Sequence, residues 1–416
     1  MYEFRKTENH MTPQLSPNNR NSSFNAPFFS ILIPTRGRPD LLRDTLDSAL
    51  FQDFDDFEVV VSNNCNDDRT QKVLDEYRDH YRLRCIRPER FLSMPEHWEF
   101  ASRHAKGIYV MFLTDRSVLK RHALMTIHNT INAEDKDVQV CSWRWSMYDD
   151  VARCEYGDIS TLSSSTQMLT SQFIAENFAK GNNNYPYSLP RALNSCYRKE
   201  LVSSLQLRYG AVFRPISPDF TSAFLLLANI KAMLYIDQPL FISQGLGISN
   251  GGNAYSKTAT AYLQSLGDED WFSLVPIKSP LVENSIFQDF LSIQRLTGGT
   301  IGQVKLNWPN YFEMCYRELI EKTGAQLLST QEIDDLYAEW SEALAGFDKS
   351  VQDEVYQRLN GLRWLKLKAK LKGSSIGPLA RRLKRKIDIV WHRGWQVRSG
   401  QSVLEAAGFR EKVYRP

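Results

Sequence analysis

The sequence lacks several features that would point to common classes of protein. Its six cysteines are scattered and include no Cys-x-x-Cys pair, which argues against a zinc site or a disulfide framework and favours a reducing compartment. The clearly apolar stretches, such as 223–228, are far shorter than the ~20 residues of a membrane-spanning helix. Residues 1–26 are polar and lack the apolar stretch of a signal peptide. We therefore predict a mobile tail at residues 1–26 of a cytoplasmic protein.

The sequence also has little net charge, but that charge is distributed unevenly. The net charge is +3, yet residues 363–398 hold twelve of the 51 basic residues and one of the 48 acidic ones, leaving 39 basic and 47 acidic residues elsewhere. Trp and Leu are interleaved with the Lys and Arg of this basic segment, a pattern typical of a membrane-surface helix. We predict that residues 363–398 contact the anionic inner face of a membrane. The alternative is that their basic residues form a solvated helical face. No motif for reading nucleic acid is present, so no nucleic-acid partner is expected.

Short apolar runs alternate with amphipathic stretches along the first half of the chain. The runs at 28–34, 57–62, 83–86, 108–113 and 138–143 are typical of buried strands, and helical spacing separates most of them. This alternation predicts an α/β fold with a mostly parallel central sheet. In the second half, residues 166–179 are predicted to be helical, and helical spacing prevails beyond about residue 284.

Four segments, in order and spacing, resemble family 2 glycosyltransferases. They are 31–40 (ILIPTRGRPD), 59–70 (VVVSNNCNDDRT), 107–119 (GIYVMFLTDRSVL) and 217–220 (SPDF), the last followed by 239–249. The resemblance covers roughly residues 27 to 255 and implies a GT-A fold, which is Rossmann-like with a mostly parallel central sheet. We accordingly expect a GT-A domain at residues 27–260 and a mainly helical C-terminal extension at residues 261–416, which contains the basic segment.

The turn after the first strand carries the first group of candidate site residues, Pro34, Thr35, Arg36 and Arg38. In open α/β sheets, ligands bind beyond the carboxyl ends of the strands. N–H groups at the start of a helix suit phosphate, and arginines add charge-assisted donors. Within the family resemblance, we expect these residues to bind the nucleotide sugar; the alternative is that both arginines are solvated turn residues.

Asn63 and Asn64 stand where the family usually has at least one aspartate that accepts an N–H of the base. An amide oxygen can still accept from the N3–H of uracil or thymine, and its NH₂ can donate to a ring carbonyl. Guanine, with its adjacent N–H donors, is less favoured. The resemblance therefore implies a UDP or dTDP donor, unless the two asparagines only end the strand in a turn.

The family's Asp-x-Asp metal motif aligns with Asp115, Arg116 and Ser117, so it is degenerate in this sequence. Mg²⁺ often uses one or two protein carboxylates, so we expect Asp115 to bind Mg²⁺ or Mn²⁺ weakly, with Ser117 as a poor additional ligand. A metal-independent variant stays open, in which Arg116 offsets the charge of the diphosphate. Asp115 could instead simply cap the following helix.

The resemblance places the catalytic carboxylate at Asp219, in the segment SPDF. Such a group could take the proton of an acceptor hydroxyl as this hydroxyl attacks the anomeric carbon. A single base on the face opposite the leaving group gives inversion. The alternative is a helix cap.

These observations predict an inverting glycosyltransferase of hexosyltransferase type. It would move a sugar from a nucleotide sugar to a saccharide or lipid-linked acceptor, as in surface polysaccharide synthesis. Two alternatives remain at this stage. One is a catalytically silent GT-A protein that binds a nucleotide sugar or a glycan; the other is a nucleotidyltransferase.

Overall fold

The computed structural model describes most of the chain outside its two ends. The described residues are 26–65, 68–134, 137–150, 153–156, 165–182, 185–245, 262–267, 270–325, 328–362 and 400–409. The predicted tail, apart from Ala26, and the basic segment 363–398 lie outside these ranges. No described helix is both long enough and apolar enough to cross a membrane.

Strands and helices alternate through the first half of the described chain, as the apolar runs predicted. The strands are β1 Phe29–Thr35, β2 Phe57–Asn63, β3 Leu83–Ile86, β4 Tyr109–Phe112, β5 Ser117–Leu119, β6 Val140–Asp149, β7 Cys154–Tyr156, β8 Thr166–Thr170, β9 Ser195–Arg198 and β10 Ala232–Ser243. The helices of this half are α1 Pro39–Leu50, α2 Asp68–Glu76, α3 Met94–Arg103, α4 Ala123–Asn132, α5 Ser171–Lys180, α6 Tyr185–Ser188, α7 Lys199–Tyr209 and α8 Pro218–Asn229. Beyond β10, all elements in the described ranges are helical: α9 Val282–Thr297, α10 Gly299–Gly302, α11 Trp308–Ala325, α12 Thr330–Ala345, α13 Lys349–Asn360 and α14 Val403–Ala406.

The strands form one sheet with the order β3-β2-β1-β4-β9-β6-β10-β5, to which β7 and β8 add at β6 and β10. Strands β3, β2, β1 and β4 run parallel, and β6 and β10 share their direction across the antiparallel strand β9. The predicted fold class, α/β with a mostly parallel sheet and a mainly helical C-terminal part, is confirmed.

Both faces of the sheet are buried, because successive side chains of each strand point to opposite sides. Ile31 and Ile33 of β1 pack on one face with residues of α1, α2 and α4. Leu32, between them, packs on the other face with residues of α3, α5, α8 and the helices from α9 to α13. The sheet and the C-terminal helices therefore share a core. The boundary between residues 260 and 261 stays a prediction.

Two predicted helices differ from the observed elements. Residues 166–179 were expected to be one helix, but β8 occupies Thr166–Thr170 and pairs antiparallel with the start of β10. The apolar spacing of residues 119–131 likewise predicts a helix from residue 119, but α4 begins at Ala123, because Ser117–Leu119 pairs with the end of β10. In both cases a partner strand that is distant in sequence provides the backbone hydrogen bonds, and this outweighs local helical spacing.

A partly buried acidic group in the helical part makes stability depend on pH. Burial, together with the charges of Glu318 and Glu321, raises the pKa of Glu283 from its ordinary value of 4.5 to about 8. Glu318 accepts the N–H groups of Val282 and Glu283 at 2.9 and 3.0 Å and lies 3.5 Å from Lys322. Between pH 4.5 and about pH 8, the folded chain therefore holds a proton on Glu283 that the unfolded chain releases. The free energy of unfolding consequently falls as the pH rises.

We expect Glu283→Gln to flatten this fall, because glutamine is neutral in both states. Near pH 5 the variant and the wild type should have similar free energies of unfolding. At pH 8 the free energy of unfolding of the variant should be larger by on the order of 1 kcal/mol or more, since one pKa unit corresponds to about 1.4 kcal/mol. Urea unfolding at the two pH values measures the difference. Glu342→Gln, at an exposed position of α12, is the matched control. An equal pH dependence in the wild type and Glu283→Gln would contradict this prediction.

Candidate active site

The ends of β1 and β2 lie side by side at the carboxyl edge of the parallel strands. Thr35 pairs with Asn63 in the β1–β2 register, and both side chains are buried. The backbone of β1 turns at Gly37, whose φ of +70° suits glycine, and α1 begins directly after Arg38. The turn at 34–38 thus brings the first candidate residues to the edge where α/β proteins bind ligands.

Asp115 lies against this turn and is bonded to it through both carboxylate oxygens. Its Oδ2 accepts the Thr35 hydroxyl at 3.0 Å and the Arg36 backbone N–H at 3.3 Å. Its Oδ1 accepts Nη1 of Arg38 at 2.9 Å. Thr35, Arg36, Arg38 and Asp115, which the sequence predicted to act together, therefore form one cluster.

The Arg36 side chain extends away from this carboxylate. Its guanidinium lies over the ring of Phe91, 4.3 Å from the ring centroid, and both side chains are exposed. A cation over an aromatic face is weakly attracted to it. The main chain of Arg36 contacts Asp115, so any contact of its side chain with a donor would be made from the rim of the crevice.

The two asparagines at the end of β2 differ in their contacts. The Asn64 amide is held by the backbone of Leu92, because its Nδ2 donates to Leu92 O at 2.8 Å and its Oδ1 accepts the Leu92 N–H at 3.1 Å. Asn63 Oδ1 accepts the N–H of Cys65 at 3.1 Å, while its buried Nδ2 has no partner among the residues that the structure describes. Asn63 is therefore the better placed of the two to donate to a base carbonyl, and the role of Asn64 toward a nucleotide stays a prediction.

The two residues after Asp115 are bonded to other parts of the protein. Nη1 of Arg116 donates to Ser243 Oγ at 2.7 Å and to Gln244 O at 3.0 Å, at the end of β10. Burial and the charge of Arg38 lower the pKa of Arg116, while Asp115 and Asp219 act in the opposite direction. Arg116 thus lies within electrostatic reach of both candidate carboxylates. The Ser117 hydroxyl lies 2.7 Å from the Thr114 hydroxyl.

Asp219 occupies the first turn of α8, with Ser217 as the N-cap residue. Its side chain is 16% exposed, and Oδ2 lies 3.8 Å from Nη1 of Arg191. Burial raises the pKa of Asp219 above its ordinary value, against the charges of Arg191 and Arg116 and two backbone N–H groups, which lower it. A partly accessible carboxylate whose pKa is raised is suited to accept a proton.

Two residues around Asp219 had no signal in the sequence. Arg191 lies between the rings of Trp145 and Phe220, at 4.6 and 5.0 Å from their centroids, so its guanidinium is fixed beside the carboxylate. Asp289, on α9, accepts the N–H groups of Ile216 and Ser217 at 2.7 and 2.9 Å and thereby fixes the loop that leads into α8. Both residues belong to segments without a local motif and meet Asp219 only through the tertiary fold.

The described residues around Asp115 do not fit a resident divalent cation. No group of three His, Cys, Asp or Glu side chains that could hold a metal occurs in the described ranges. Asp115 already accepts three protein donors, and the Ser117 hydroxyl is engaged by Thr114. Mg²⁺ and Mn²⁺ need accessible oxygen ligands. The predicted metal ligands Asp115 and Ser117 are thus close in sequence, but their oxygens are used within the protein.

Comparison with known proteins agrees with the resemblance read from the sequence. Residues 30–182 match the family model described as Glycosyl transferase family 2. Over 113 residues the chain is 27% identical to the poly(ribitol-phosphate) beta-N-acetylglucosaminyltransferase TarS of Staphylococcus aureus, strains Mu50 and MW2. This match covers 26% of this chain and 20% of TarS, so the chain spans about a fifth of the length of the curated relatives it matches.

Solved structures of transferases were also found to be similar at low identity. A crystal structure of S. aureus TarS 1-349 in complex with UDP-GlcNAc is 15% identical, with a TM-score of 0.46, and the match covers 85% of this chain and 91% of that one. The mannosyltransferase PcManGT of Pyrobaculum calidifontis, in complex with GDP-Man and Mn²⁺, is 14% identical, with a TM-score of 0.39 and coverage of 84% and 88%.

Proposed function

We propose that this chain, whose residues 30–182 belong to glycosyl transferase family 2, moves a sugar from a nucleoside diphosphate donor to a hydroxyl of a saccharide or lipid-linked acceptor. The observation that carries the proposal is the cluster that Asp115 forms with the turn after β1, together with the partly accessible carboxylate of Asp219 at the start of α8. Arg116 lies within electrostatic reach of both carboxylates. In this proposal, Asp115 lies on the donor side and Asp219 on the acceptor side of one site. The similarity to a transferase of poly(ribitol phosphate) supports a surface polysaccharide as the acceptor.

In the proposed mechanism, the donor diphosphate lies against the 34–38 turn, where Arg36, Arg38 and the start of α1 supply donors. Asn63 contacts the base through its amide: Nδ2 donates to a ring carbonyl, and the second lone pair of Oδ1 accepts the N3–H of uracil or thymine, which favours these bases over guanine. Asp219 then takes the proton of the acceptor hydroxyl as its oxygen forms a bond to the anomeric carbon. The bond from that carbon to the diphosphate oxygen breaks, and the electron pair leaves with the diphosphate. Attack opposite the leaving group inverts the anomeric configuration.

A ligand screen tests the donor side of this proposal. UDP and dTDP, and sugars attached to them, should raise the unfolding temperature of the full chain more than GDP does, because a ligand stabilises the state it binds. Transfer is then assayed by detecting the released nucleoside diphosphate and the glycosylated acceptor. Nucleotide binding without turnover of any donor and acceptor pair would instead favour the silent binding protein. A stronger response to GDP than to UDP would contradict the assigned role of Asn63.

A further inference from the structure

The Asp115 carboxylate is largely occupied by hydrogen-bond donors of the protein itself. Three donors reach it from the turn between β1 and α1: the Thr35 hydroxyl, the Arg36 N–H and the Arg38 guanidinium. Its side chain is 2% exposed. An ionised carboxylate is an acceptor with about four lone-pair sites, and three of them are used here. A cation could bind this carboxylate inner-sphere only through the one remaining site or by displacing donors that the fold has already provided.

Arg38 is the charged member of this set. Its Nη1 lies 2.9 Å from Oδ1, and its side chain is 24% exposed, so the guanidinium is partly accessible beside a buried carboxylate. Arg38 immediately precedes the first residue of α1, which fixes its main chain. Separating such a pair would leave a buried carboxylate without its counter-charge, and this is strongly unfavourable. The cation beside Asp115 is therefore a fixed part of the chain.

We propose that Arg38 takes the place of the divalent cation, and that donor binding and sugar transfer are independent of metal. Asp115 then orients the guanidinium instead of ligating a metal. This inference rests on the proposed glycosyltransferase function and specifies how its donor site works. A guanidinium binds phosphate oxygens in a planar, bidentate manner and stays protonated throughout. It offsets the negative charge that develops on the diphosphate as the sugar bond breaks and transfers no proton itself.

The wild-type chain provides the first test. Transfer should change by less than about twofold when EDTA is added and when Mg²⁺ or Mn²⁺ is restored, since none of the charge stabilisation depends on an exchangeable ion. Calorimetric titration with UDP in EDTA and in Mn²⁺ should give equal affinities. Loss of transfer in EDTA with recovery in Mn²⁺ would overturn the proposal. So would Mn²⁺ binding, followed by electron paramagnetic resonance, that disappears in Asp115→Asn.

Variants at Arg38 provide the second test. Arg38→Ala should lower transfer about 100-fold in EDTA, the usual cost of removing a donor that stabilises transition-state charge, and should weaken UDP binding. The transfer rate of Arg38→Lys should lie between those of the wild type and Arg38→Ala, because lysine keeps the charge but lacks the planar guanidinium group. The control is Arg43→Ala, which removes another arginine of the same region, paired with Glu76 at the exposed surface of α1. An Arg38→Ala variant with wild-type transfer and UDP affinity would overturn the proposal.

The metal-independent donor site and the transferase function can be tested separately. One outcome is that UDP binds with equal affinity in EDTA and in Mn²⁺, that this binding requires Arg38, and that no donor is turned over. This outcome would support the metal-independent site and contradict the transferase function. If transfer occurs but requires Mn²⁺, the function stands and the role of Arg38 falls.

Discussion

Asp219→Asn should reduce sugar transfer by about a thousandfold while leaving donor affinity within about twofold of the wild type. A positioned general base contributes on the order of 10² to 10⁴ in rate, and the amide cannot take the proton. The shape of the site should persist, because asparagine is close to aspartate in size and its Oδ1 can still accept a hydrogen bond in the first turn of α8. Released nucleotide measures turnover, and calorimetry with UDP measures donor binding.

A control variant and the pH dependence of the rate distinguish a catalytic role of Asp219 from a role in stabilising the start of its helix. Asp348→Asn changes the exposed N-cap residue of α13 and should leave transfer unchanged. Because burial raises the pKa of Asp219 above 3.8, the rate should fall on the acid side at a pH above that value, as protonation removes the base. Arg191→Gln should move this acid limb to higher pH, since the Arg191 charge holds the pKa of Asp219 down. Near-wild-type turnover by Asp219→Asn would falsify the assignment of the base.

Gly107→Ala should destabilise the folded chain by about 3 kcal/mol or prevent its folding. A Cβ at this position would lie 2.5 Å from the backbone N of Ser30 and 2.7 Å from the carbonyl carbon of Phe29. Both atoms belong to β1, the strand that ends at Thr35, so relief of the clash would require a shift of the central strand. Overpacking of this kind typically costs about 1–3 kcal/mol, occasionally more. The Gly107 N–H also donates to Ser30 Oγ at 2.8 Å.

Urea unfolding of purified protein measures this effect as a shift of the transition midpoint. Gly302→Ala is the matched control, because a Cβ there meets nothing within 4 Å and alanine is favoured over glycine in a helix. The control should be neutral or slightly stabilising. A Gly107→Ala variant as stable as the wild type would show that β1 can yield at this contact.

The resemblance of 107–119 to the family strand included Gly107 without a reason for it, and the tertiary structure supplies that reason. From the sequence motif alone, one sees only that a small residue, Gly107, lies two positions before Tyr109. The close approach of Gly107 to the backbone of β1 arises from the pairing of β1 with β4. Residues of one segment cannot indicate such a contact, because the partner lies about 77 positions earlier.

The strand ends could be located from the sequence with useful accuracy. Buried parallel strands appear as continuous apolar runs, and the residues that follow such runs converge at one edge of the sheet. For this reason Thr35, Asn63 and Asp115 could be grouped before any coordinates were known. Strand β8 could not be located in this way, because the Thr-containing segment at 166–170 becomes a strand only by pairing with β10.

The sequence by itself determined the fold class, and it indicated the family resemblance and the two candidate acids, because these depend on local periodicity and on the order of short motifs. The tertiary structure alone decided what each side chain touches. It bonded Arg38 to Asp115, turned Arg116 toward the end of β10, engaged Asn64 with Leu92 and brought Arg191 beside Asp219. The physical reason is that hydrogen bonds and ion pairs form between residues that only the packing of distant segments makes neighbours.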